Sequence, residues 1–146
     1  MHAYPHVYTT TTQGTNDTIL QLSSKGLLSL EVTPPVQFDG PDGYWSPETF
    51  FSASIGTCFI LTFKVVSRAM KLSWENINVD VDAFLDKGPQ GLSFNRVVIS
   101  VHLKTGDITD EAPYLKALEK AEKSCLITNS LKSEIELRLQ LDRSAT

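Results

Sequence analysis

The chain has 146 residues, 41% of them hydrophobic, and a net charge of -4 at pH 7, which suits one compact domain over residues 1–146 with a buried core. Seventeen acidic against thirteen basic residues provide no positive field, which excludes nucleic acid and anionic lipid as expected partners. The first residues lack the charged, apolar and cleavage segments of a leader, and no apolar stretch reads as uninterrupted enough to cross a bilayer. A cytoplasmic protein with no membrane partner is the expectation.

The first 33 residues read as strands. "HVYTTTT" and "DTILQLSS" are rich in β-branched and aromatic residues and flank the turn-forming "QGTND"; "GLLSLEV" follows as a third strand. The stretch "TPPVQFDGPDGYW" is too rich in proline and glycine to continue a sheet or a helix, so it is a long loop. A helix-start signature ends it: Ser46 to cap, Pro47 at the first helical position, Glu48 where the helix dipole favours a negative charge. The helix runs to about Lys71 and is apolar nearly all round, with Lys64, Ser67, Arg68 and Lys71 in its last turns. "ENINVDVDAFLDKGPQGLSFNRVVISVHLKTG" alternates as two strands of a long hairpin. "TDEAPYLKALEKAEKS" is an amphipathic helix, capped by Thr109 or Asp110 and stopping near Ser124. "CLITNSLK" makes a short helix or turn from Cys125, and "EIELRLQL" is a closing strand. The fold class is α+β: antiparallel sheets wrapped around one long central apolar helix. A sheet can cover one side of such a helix, and a second copy of the chain is the simplest cover for the rest.

Two cysteines, Cys58 and Cys125, are too far apart for a local redox pair or zinc set, and His2, His6 and His102 read as surface residues. No metal site and no cofactor are expected. Taken singly, Cys58 fits a small core hydrophobe as well as a nucleophile, and Glu48 fits a favourable dipole charge. Cys125 at a helix start would be a thiol of lowered pKa or a packing residue. The aromatics Tyr44, Trp45, Phe51 and Phe59 near the helix entry are core residues or the lining of an apolar substrate pocket.

Together these residues say more. "SPETFFSASIGTCF", with a Pro-Glu pair opening the helix and a cysteine ten residues after the glutamate, resembles the signature of the OsmC/Ohr family of thiol peroxidases. "AEKSCLITNSL" is similar to that family's second cysteine motif. The resemblance implies an intertwined homodimer that reduces organic hydroperoxides. Cys58 would be the peroxidatic thiolate, Cys125 the resolving thiol, and a dithiol such as the dihydrolipoyl group of a lipoylated protein the reductant. Glu48 and Cys58 sit about 15 Å apart along one straight helix, so a shared site would draw Glu48 from the partner subunit.

In the family an arginine from the first hairpin or the following loop pairs with the glutamate and steadies the thiolate. The matching stretches here, "TQGTND" and "PVQFDGPDG", hold Asn16 and Gln37 instead, and Lys25 is the sole basic residue before Lys64. With neutral amides only, Cys58 is expected to titrate within about a unit of the free-thiol value of roughly 8.5. Two alternatives stay open: a binding or scaffold protein of the same fold without peroxidase activity, and a hot-dog-like thioesterase or acyl-binding protein.

Overall fold

The computed structural model describes residues 1–144. The chain forms two compact units, Met1–Phe50 and Phe51 onward.

In the first unit, β1 (Thr11–Gln13), β2 (Leu20–Ser23) and β3 (Leu30–Val32) make an antiparallel sheet in that order. All three expected strands form, shorter than their sequence patterns. The loop after β3 folds over a single 3-10 turn, Val36–Phe38, which Asp39 closes in the left-handed region at φ 60°. Gly40 follows because a Cβ there would run into the Pro34 carbonyl. The Thr33 N–H donates to the Trp45 carbonyl at 3.0 Å, which returns the chain to β3 just before the helix begins.

That helix, α1 (Pro47–Ala69), starts where the sequence placed it. The Thr49 N–H donates to Ser46 Oγ at 3.2 Å and the Ser46 N–H donates to Thr49 Oγ1 at 2.8 Å, a reciprocal cap built with threonine in the usual glutamate position. Its 23 residues include an 18-residue window of mean hydropathy 1.6, so by length and composition it could cross a membrane, contrary to the sequence expectation. Its packing marks it as a core helix. Ile55, Phe59, Phe63 and Val66 recur at helical spacing and are buried against the sheet of the second unit.

The second unit is built on β4 (Asn76–Gly88), β5 (Gly91–Lys104) and β6 (Glu134–Asp142), with α2 (Ala112–Lys123) between β5 and β6. β4 and β5 form the expected hairpin, turning at Pro89 and Gln90, with a register shift between Phe84 and Leu85. Their alternation puts Val97, Ile99, Val101 and Leu103 on the core face, joined from α2 by Tyr114, Ala117, Leu118 and Ala121. Gly56 permits close approach of α1 to β4, since a Cβ there would lie 3.3 Å from Val81 Cγ2.

Among the described residues there are two three-stranded sheets, and the topology differs from expectation in one way: β6 pairs with β5 in parallel. The physical reason lies in the connection: α2 and the turn after it are a crossover long enough to carry the chain back to the starting end of β5. An alternating pattern such as "EIELRLQL" shows which face is buried and is silent on strand direction.

Candidate active site

α1 carries Cys58 in its middle, one step off the buried Phe59, so its side chain is half-buried rather than sealed in the core. Cys125 follows directly on α2, whose last turn ends at Ser124, and is wholly buried. The chain turns sharply here. Asn129 donates its N–H to the Cys125 carbonyl at 3.0 Å, and Thr128 Oγ1 donates to the same oxygen at 3.3 Å. The result brings two thiols that are remote in sequence close enough for each to shift the other's acidity, with neither in a disulfide.

Their environments push them apart. Burial raises the Cys58 pKa, but hydrogen bonds from the Ile127 N–H, the Cys125 thiol, Thr62 and the Leu126 N–H outweigh it and hold the thiol below its ordinary value. Burial pushes Cys125 up, the neighbouring Cys58 adds to that, and the bonds from Thr128 only partly offset it. One correction follows: Cys125 is not acidified by standing at a helix start. It sits after α2, two residues before the capping position of the 3-10 turn Thr128–Ser130. One thiol is therefore predisposed to be the thiolate and the other to keep its proton, the asymmetry a nucleophile and a resolving partner require.

The remaining residues singled out in the sequence are dispersed. Glu48 is in the first turn of α1, and its Oε2 is buried without a hydrogen-bond partner among the described residues. A buried carboxylate oxygen in that state is costly. Asn16, Lys25 and Gln37 are all exposed in the first unit. Tyr44 and Trp45 belong to the first unit and are more than a third exposed, with Trp45 stacked on Phe50 at 5.4 Å. Phe51 belongs to the second, stacked on Phe94 at 4.3 Å, while Phe59 has no exposed surface and packs in the core. Among the described residues no group of three His, Cys, Asp or Glu side chains is placed to hold a metal. The groups that sequence reasoning missed are Thr62 and the main-chain N–H groups of Leu126 and Ile127. No sequence signal marks a backbone donor, since every residue except proline has one.

Residues 40–140 match the family model described as OsmC-like protein. The chain belongs to the OsmC-like protein family. It is 24% identical over 118 residues to the uncharacterized protein YmaD of Bacillus subtilis, covering 79% of each chain. It is 23% identical over 115 residues to organic hydroperoxide resistance protein-like 1 of Staphylococcus epidermidis, covering 79% of this chain and 80% of that one. In structure it is similar to an OsmC-like protein of unknown function, VCA0330, from Vibrio cholerae. There the TM-score is 0.84 at 15% identity, over 94% of this chain and 100% of the other. The α+β class and the central helix are those of this OsmC-like fold.

Proposed function

We propose that this OsmC-like protein is a thiol-dependent peroxidase that reduces organic hydroperoxides through Cys58 and Cys125. The observation that carries the reading is the contact between a half-exposed thiol of lowered pKa and a buried thiol of raised pKa. The Cys58 thiolate attacks the distal oxygen of ROOH and the O–O bond breaks. Cys58 becomes a sulfenic acid, and the alkoxide leaves as ROH after taking a proton. The Cys125 sulfur then displaces water from the sulfenic sulfur and closes a disulfide within the chain. A dithiol, such as the dihydrolipoyl group of a lipoylated protein, reopens it by exchange and leaves as its own disulfide. Per cycle, ROOH and one dithiol become ROH, water and one disulfide.

The working unit is a homodimer. On α1, Leu61 and Val65 are 62% and 66% exposed and one turn apart, on the side away from Phe59 and Phe63. An apolar face of this kind on a central helix fits a second copy of itself. In that assembly Glu48 of the partner subunit completes the site. Sedimentation at micromolar concentration should give twice the chain mass of 16.2 kDa, and Leu61→Arg should shift the protein toward monomer. A wild-type mass near that of one chain would contradict the dimer.

A second reading, an OsmC-like binding protein without peroxidase activity, is favoured by one observation: Asn16 and Gln37 stand in the segments where the family's arginine is expected. Stopped-flow mixing of the reduced protein with cumene hydroperoxide and with hydrogen peroxide separates the two. The peroxidase reading expects fast reaction with the former and slower reaction with the latter. A rate for Cys58 no faster than that of a free thiol with either oxidant favours the binding protein.

A further inference from the structure

The far end of α1 closes in a turn that builds a pocket. The Met70, Lys71 and Leu72 N–H groups donate to the Val66, Arg68 and Ser67 carbonyls at 3.0, 3.1 and 2.9 Å, so main chain satisfies the last carbonyls of the helix. Lys71 permits this by standing in the left-handed region at φ 57°, a place that glycine usually fills and a side chain occupies at a cost. The chain then folds back along the helix and is pinned there. Trp74 Nε1 donates to Ser67 Oγ at 3.1 Å, Ser67 Oγ donates to the Lys64 carbonyl at 3.3 Å, and Tyr114 Oη donates to the Ser73 carbonyl at 2.7 Å. The Trp74 ring also tilts against the buried Phe63. Between helix and turn lies an open cavity of about 340 Å³, lined by Lys64, Ser67, Arg68, Leu72 and Trp74.

The lining sorts into cationic donors and apolar surface. Ser67 is buried with its hydroxyl both donating and accepting, and the Trp74 N–H is spent on it. Lys64 and Arg68 remain. Both are exposed, they stand four residues apart on one face of α1, and neither pairs with an acid among the described residues. Lysine and arginine side chains donate and never accept, so the group they hold together is an acceptor of negative charge. The helix dipole favours cations at this end, but it needs no cavity between them and a fixed indole. Leu72 and the Trp74 ring offer that cavity apolar surface and no free polar atom.

We propose that this cavity binds a small organic anion, its carboxylate held by Lys64 and Arg68 and its apolar body set against Leu72 and Trp74. The volume is at the small end of ligand sites, which suits one ring or a short chain. Neither cysteine lines the cavity, and Lys64 lies about 9 Å beyond Cys58 along the helix axis. The site is therefore additional to the thiol pair and stands whether or not the protein is a peroxidase.

The test uses the 15N-labelled full chain with no peroxide present, and Trp74→Phe assigns the Trp74 indole N–H resonance. Phenylpropionate is the probe. It should move the Trp74 indole and Leu72 amide resonances saturably at millimolar concentration. The neutral analogue phenylpropionamide should bind about tenfold more weakly, because both cations lose a charged partner. Inorganic phosphate, which carries charge without an apolar body, should also bind more weakly than phenylpropionate. Lys64→Gln combined with Arg68→Gln changes only exposed side chains and should abolish the response. No saturable movement at Trp74 overturns the proposal, as does equal binding of the carboxylate and its amide or an undiminished response in the double variant. Phosphate binding as tightly as phenylpropionate overturns it too, since Leu72 and Trp74 would then contribute nothing.

Discussion

Replacing Cys58 by serine should abolish hydroperoxide reduction, lowering the rate by at least roughly 1,000-fold, the scale seen when a covalent nucleophile is removed. Replacing Cys125 by serine should behave differently. The first turnover survives, because Cys58 still meets the peroxide, but no disulfide can form, so excess hydroperoxide should drive Cys58 to sulfinic acid. Mass spectrometry separates the outcomes: wild type should lose two hydrogens and yield a peptide linking the two cysteines, and Cys125→Ser should gain two oxygens on the Cys58 peptide. Wild-type oxidation straight to sulfinic acid with Cys125 free would show that Cys125 does not resolve. The sign of the pH dependence follows from the thiolate being the nucleophile. With the Cys58 pKa held below its ordinary value by burial-opposing hydrogen bonds, the rate should rise with pH and level off at a lower pH than a free thiol's rate does.

The second large effect concerns stability. Phe63 is wholly buried, packs in the core and tilts against Trp74 with ring centroids 5.4 Å apart. Phe63→Ala should destabilise the fold by about 3–5 kcal/mol through lost apolar contact and the cavity left behind, a fall in Tm on the order of 10 °C for a chain of this size. The loss should be independent of protein concentration. Leu61→Arg, two residues away on the exposed side, should lower Tm in a concentration-dependent way if the proposed dimer forms, because association with a second copy would then stabilise the fold by mass action. Calorimetry at two protein concentrations distinguishes them. A Phe63→Ala protein within about 1 kcal/mol of wild type would mean that the aromatic contributes little to the core.

The elements were largely legible because each has a local cause. Ser46 and Pro47 announce the start of α1, the alternation from Asn76 onward announces the β4–β5 hairpin, and the amphipathic period announces α2. Cys58 and Cys125 stood out only as a pair with Glu48, through spacing and resemblance, since each alone fits a packing role. The burial of Phe59 was less legible. Core residues and pocket residues share the same apolar chemistry, and only the packing of Phe59 against the sheet separates them.

The sequence by itself determined the element order, the apolar central helix and the identity of two thiols separated along the chain, because propensity, capping and periodicity are encoded residue by residue. Only the tertiary structure decided the direction of β6, the division into two sheets, and the chemical inequality of the thiols. Parallel pairing depends on where a crossover delivers the chain, which no residue of β6 records. The acidity of Cys58 depends on burial and on the groups that the fold brings beside it, Cys125 among them, so it comes from position in space and not from residue type alone.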